Sequence, residues 1–190
     1  MTRSPLNGKS ALMAEIIFLH GASSSGKSTL ARALQAQVER PFWHVSIDHL
    51  RDGAVLPMTR FRAGDFSWSE ERARIFAGFH ASVAAYADAG NDLILEHILD
   101  EEAWADQLKR TLAGHQVLFV GLDCDLQTLM AREQARGDRP LGSAVQDAAR
   151  VHVGRRYDVR LRSEDGLERN VARVLAARRS ARRVSEFADS

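Results

Sequence analysis

The chain alternates short apolar runs with longer amphipathic stretches. Ile16, Ile17, Phe18 and Leu19 form the first run, which reads as a strand buried on both faces. Leu30, Ala33, Leu34 and Val38 then recur at helical spacing and predict a helix over 29–38. A second short strand over 43–47 delivers Asp48 at its C-terminal end. Ile75, Phe76, Phe79, Val83 and Tyr86 predict a long helix that starts at Ser69 and closes at Gly90. Glu70 and Glu71 suit the positive end of its dipole. Leu93, Ile94 and Leu95 make a third strand that runs into Glu96 and His97. Trp104, Leu108 and Leu112 share a face of a helix over 101–112, and residues 116–122 form a fourth buried strand. Helices over 125–134 and 144–153 flank Arg136-Gly137-Asp138-Arg139-Pro140, where Gly and Pro interrupt the helical pattern. Residues 157–161 alternate as an edge strand does, and Leu167, Val171, Val174 and Leu175 face inward from a helix over 165–178.

Five strands alternating with helices predict an α/β fold: a parallel sheet covered by helices on both faces, in three layers. No internal repeat or linker divides the chain, so a single domain is expected over 15–178. Residues 1–14 read as a polar tail and 179–190 as a solvated, fraying end. Residues 49–68 show no clear period and contain Gly53, Pro57 and Gly64. A loop of that length in a compact domain is usually functional, and the second-substrate site is expected there.

Composition adds mainly exclusions. The 190 residues suit one domain with a full core, and 45% hydrophobic content is ordinary for a globular protein. The 26 basic and 25 acidic residues nearly cancel, so no global field argues for a nucleic-acid or membrane partner. Cys124 is the single cysteine, which rules out an internal disulfide and fits a reducing cytoplasm. No apolar run approaches a membrane span and no apolar core marks a secretory signal, so a cytoplasmic location is expected. The sequence does not address the oligomeric state.

The chemistry concentrates in Gly21-Ala22-Ser23-Ser24-Ser25-Gly26-Lys27-Ser28, which fits G-x-x-x-x-G-K-[ST] between a strand and a helix. Such a loop turns its N–H groups inward around an anion, and the helix behind it adds its positive dipole end. Lys27 is expected on the β- and γ-phosphates of ATP, Ser28 on Mg2+, and Thr29 in the first helical turn beside them. No His and Cys residues have zinc-site spacing, so Mg2+ carried with ATP is the only metal expected.

Phosphoryl transfer also needs a hydroxyl held in line and charge neutralised on the moving group. Asp48 ends a strand on the ligand edge of the sheet and is the candidate to engage that hydroxyl. Glu96 occupies the matching position on the third strand, where an acid holds magnesium through water or binds the acceptor; His97 adjoins it. Arg132 and Arg136 share a helix face, and Arg136 and Arg139 flank a Gly. Arginines so placed form a lid that closes on the phosphates. In the segment ahead of the long helix, Arg60 and Arg62 suggest an acceptor with negative charge, and Phe61, Phe66 and Trp68 an apolar wall.

Residues 16–28 (IIFLHGASSSGKS), 46–50 (SIDHL) and 132–139 (REQARGDR), with Val151-His152 and Tyr157-Asp158-Val159, resemble the chloramphenicol phosphotransferase-like family of P-loop kinases. The resemblance implies a nucleoside-monophosphate-kinase-like fold with a short lid and ATP-dependent transfer to a small-molecule hydroxyl, antibiotic resistance being one possible use. It implies Asp48 as the catalytic acid/base and Arg136 and Arg139 as lid residues. His152 and Tyr157 match the pattern. The Asp-Asp pair expected after the third strand reads Glu96-His97 here, and the segment over 53–68 is unlike the chloramphenicol enzyme. Two other readings stay open: a kinase for an anionic acceptor such as a nucleotide or nucleotide-sugar, and a nucleotide-binding regulator without chemistry.

Overall fold

The computed structural model describes residues 12–136, 143–180 and 182–188; of Arg136, Ser143 and Ala144 it describes the backbone. Five parallel strands form one sheet: β1 (Glu15–His20), β2 (Phe42–Ser46), β3 (Asp92–Glu96), β4 (Gln116–Asp123) and β5 (Val159–Arg162). Their order is β2-β3-β1-β4-β5. The five strands occupy the expected places, because each apolar run is long enough to be buried on both faces.

Alternate side chains along each strand divide the core. Ile16 and Phe18, with Leu93, Leu95 and Phe119, pack under α4 (Trp68–Asp88) and α5 (Glu102–Thr111). Ile17 and Leu19, with Ile94, Leu118 and Val120, pack under α1 (Lys27–Gln35) and α8 (Leu167–Arg179). This two-residue alternation produces the three layers. It also lines up the C-terminal ends of β1, β2 and β3 along one edge.

Three local differences from the sequence reading bear on the site. The stretch read as an aperiodic loop holds two short helices, α2 (Ile47–Asp52) and α3 (Met58–Arg62). Helices this short show no period. Instead Ser46 caps α2 by accepting from the Asp48 N–H (3.2 Å), and Ile47 and Leu50 pack on the core. Asp48 therefore sits in the first turn of a helix rather than on a bare strand end. The long helix begins at Trp68 with Ser67 as its cap, one turn position earlier than Ser69 suggested.

The C-terminal end is also packed rather than solvated. Phe187 is 5% exposed and lies against Phe18 and Phe119, with ring centroids 5.4 and 4.8 Å apart. Asp158 holds this end: one carboxylate oxygen accepts from Val184 N and Ser185 N (2.7 and 3.0 Å), the other from Phe119 N (2.8 Å). A lone Phe in a charged tail carries no periodic signal, so only the tertiary contact reveals it.

Candidate active site

β1 ends in the loop over 21–28, and α1 starts inside it at Lys27. Gly26 adopts φ 101°, a left-handed conformation that disfavours side chains. At Gly21 a Cβ would collide with the Leu122 carbonyl, so the loop lies directly on β4. No side chain caps α1, which leaves its first N–H groups for an anion. Ser25 Oγ is buried with no hydrogen-bond partner, a further polar group aimed at no protein atom. This cradle fits a phosphate.

Lys27 is 5% exposed, and its Nζ donates to the Gly21 and Ala22 carbonyls (3.0 and 2.7 Å). The ammonium thus folds over the loop it serves. Ser28 Oγ donates to Glu96 Oε1 (2.8 Å), and His44 Nε2 lies 3.1 Å from Glu96 Oε2. Burial pushes the Glu96 carboxyl up, but the His44 hydrogen bond, the Lys27 charge and the Ser28 hydroxyl outweigh it. Glu96 is held below its ordinary value and is ionised. A hydroxyl and a carboxylate side by side at the loop form the hard-oxygen donor set that Mg2+ takes.

Asp48 faces the same cleft, which has a volume of about 1260 Å³. Arg51 Nη1 donates to its Oδ1 at 2.9 Å. Glu96, His97, Phe61 and Arg62 line this cleft too, together with Thr29. Arg60 does not. It pairs with Asp65 (2.8 Å) and stacks over Phe66 (4.4 Å), because α3 turns successive side chains to different sides. Arg60 therefore does not line the cleft in this structure.

Arg132, on α6 (Leu126–Arg136), brackets the loop from the far side. Its Nη1 donates to Ser163 Oγ (3.0 Å) and to the Ser24 and Ser25 carbonyls (both 3.3 Å). The Arg136 side chain and Arg139 lie outside the described residues. Asp147, on α7 (Ser143–Arg150), accepts from Ser23 N (3.2 Å), so a phosphate taking that N–H displaces it.

Beneath the loop runs a second polar chain. Tyr157 Oη lies 2.7 Å from His152 Nδ1 and 2.9 Å from His20 Nδ1, and His152 Nε2 lies 3.4 Å from Asp123 Oδ1. One proton count satisfies it: with the His152 proton on Nε2, the side that faces Asp123, Tyr157 donates to His152 and His20 Nδ1–H donates to Tyr157. His152 and Tyr157 thus tie the segment after α7 to the end of β1.

Sequence reasoning missed His44, Asp147 and His80. Each acquires its partner from another segment: Asp147 from Ser23 over 124 residues, His44 from Glu96 over 52 and His80 from His97 over 17. A faint signal existed for His44, a polar residue inside an apolar strand.

Burial depresses the pKa of His20 and of His97 well below the ordinary histidine value; His152 and Lys27 add to it for His20, His80 and Lys27 for His97. Both rings are neutral when folded and take up protons on unfolding below pH about 6.5. Stability should therefore be intact above that pH and fall as the pH drops through it. At pH about 5.5 each ring removes about 1.4 kcal/mol, together about 3 kcal/mol. Urea unfolding at the two ends of this window measures the loss; a flat profile would contradict neutral burial.

With the sheet order, the loop and its facing acids in place, the class of the protein is that of the P-loop kinases. Solved structures of this class share the fold. An APS kinase of Mycobacterium tuberculosis, solved with AMPPNP and APS, matches with TM-score 0.64 at 18% identity, over 88% of this chain and 99% of the other. A gluconokinase from Sinorhizobium meliloti matches with TM-score 0.61 at 17% identity, over 88% and 92%. Identities this low speak to the fold alone. The chain belongs to the chloramphenicol phosphotransferase-like protein family, which it matches over residues 14–179. A Mycobacterium tuberculosis protein provisionally named an O-phosphotransferase is 26% identical over 166 residues, 77% of this chain and 74% of the relative. The protein is a phosphotransferase of the P-loop kinase class.

Proposed function

We propose that the protein transfers the γ-phosphate of ATP to a hydroxyl of a small molecule. The supporting observation is the uncapped, Lys27-bearing phosphate loop facing Asp48 across one cleft. The loop N–H groups bind the phosphates, and Lys27 neutralises charge between the β- and γ-positions. Asp48 orients the acceptor hydroxyl and takes its proton as the oxygen bonds to the γ-phosphorus and ADP leaves. Ser28 and Glu96 would hold Mg2+, which would neutralise charge on the phosphates. Arg132 fixes the loop from the side opposite Glu96.

An anionic acceptor keeps Arg62 of the cleft lining in its support, but Arg60 turns away from the cleft and Arg51 and Arg72 are already paired with Asp48 and Asp100. The test is an ADP-release assay over antibiotics, sugars, nucleosides and their phosphates. A hydroxyl compound that stimulates release supports the reading. Release that no member stimulates counts against it, and stimulation by anionic members alone favours the other acceptor class. No helix among the described residues is long and apolar enough to cross a membrane.

A further inference from the structure

β3 hands the chain to His97, whose ring is 3% exposed yet lines the cleft. The ring stacks against Phe76 (centroids 5.6 Å apart, 30°) and Trp104 (5.4 Å, 25°). Arg72 lies over Phe76 and Trp104 in turn, at 5.0 and 4.5 Å, and is paired with Asp100. Behind His97 stands His80 of α4, fully buried, with Nε2 3.0 Å from His97 Nε2. On its other side His80 Nδ1 lies 3.2 Å from Gln107 Oε1.

Proton counting fixes both rings. A neutral imidazole carries one N–H, and a carbonyl oxygen only accepts. Gln107 Oε1 therefore requires the proton on His80 Nδ1. That leaves a lone pair on His80 Nε2, so His97 must carry its own proton on Nε2. His97 Nδ1 is then a lone pair, and it has no hydrogen-bond partner among the described residues. Both rings are buried, at 0% and 3% exposure, which favours the neutral form.

We infer that His97 Nδ1 is a specificity-determining acceptor that takes an O–H or N–H of the phosphate-accepting molecule, other than the hydroxyl that is phosphorylated. His80 and Gln107 are positioning residues that lock the tautomer. This rests on the phosphotransfer reading and deepens it: the substrate class is a neutral molecule with at least two hydrogen-bond donors, one of them set beside the Phe76–Trp104 wall. An anionic group at this point meets a lone pair instead of a donor, and is disfavoured.

Two measurements test the inference. Long-range 1H–15N correlation of the histidine rings should assign His97 to the Nε2–H tautomer, and in His80→Phe the His97 signal should become a tautomer mixture. Each alcohol active in the ADP-release panel is then compared with its derivatives in which one other hydroxyl is O-methylated. In the wild-type chain, methylating the donor that His97 reads should raise KM about 10- to 100-fold with a smaller change in kcat. In His97→Phe, which keeps the stacked ring, the ratio between parent and ether should fall close to one. An Nδ1–H tautomer in a protein that shows acceptor-stimulated release overturns the inference alone. So does a parent-to-ether ratio unchanged in His97→Phe. Absence of stimulation by every panel member overturns the phosphotransfer reading, and the inference with it, whichever tautomer is found.

Discussion

Lys27→Ala should lower phosphoryl transfer by about 10²–10³-fold or more, with the fold unchanged. The ammonium is nearly buried, hydrogen-bonded to the Gly21 and Ala22 carbonyls, and close enough to Glu96 to help keep that carboxylate ionised. Its charge is therefore already inside the phosphate cradle, where water screens it little. Removing it takes away both the cation on the transferring group and one of the partners of Glu96. Lys27→Arg should not restore activity, because a planar fork does not fit where a compact ammonium packs against two loop carbonyls. Single-turnover transfer checks this directly. Transfer within a fewfold of wild type in Lys27→Ala would remove the loop from the chemistry.

Asp48→Asn should reduce kcat by about 10²–10⁴-fold while changing nucleotide affinity little. The side chain is set at the end of β2 by the Ser46 cap, and it faces the phosphate loop across the cleft. Asparagine keeps the size and the polar contact but is a far weaker proton acceptor. The competing reading is structural, since Asp48 lies in the first turn of α2 and pairs with Arg51. That pair is over a quarter exposed on each side and contributes at most about 1 kcal/mol. A structural role would therefore show as a small loss of stability with kcat retained. The ratio of kcat to nucleotide Kd in the variant separates the two.

Much of the fold was legible because its strands are buried on both faces, so each is an unbroken apolar run such as residues 16–19. The phosphate loop was legible because one short segment contains all its parts. What escaped was of two kinds. α2 and α3 are too short to show a period, and they are held by the Ser46 cap and by Ile47 and Leu50 on the core. The site's supporting partners come from distant segments. His44 on Glu96, Asp147 on Ser23 and His80 on His97 exist only once β2, α7 and α4 converge on the sheet edge. Arg60 shows the converse: a charge near the site in sequence that the turn of α3 directs at Asp65.

The γ-phosphate should end on a hydroxyl. Phosphorus NMR of ATP and Mg2+ with the protein and an alcohol active in the ADP-release panel tests it most directly. The γ-phosphate signal should be replaced by a phosphate-ester signal in one-to-one proportion with ADP. Appearance of the γ-phosphate only as inorganic phosphate, at a rate indifferent to the alcohol, would contradict it.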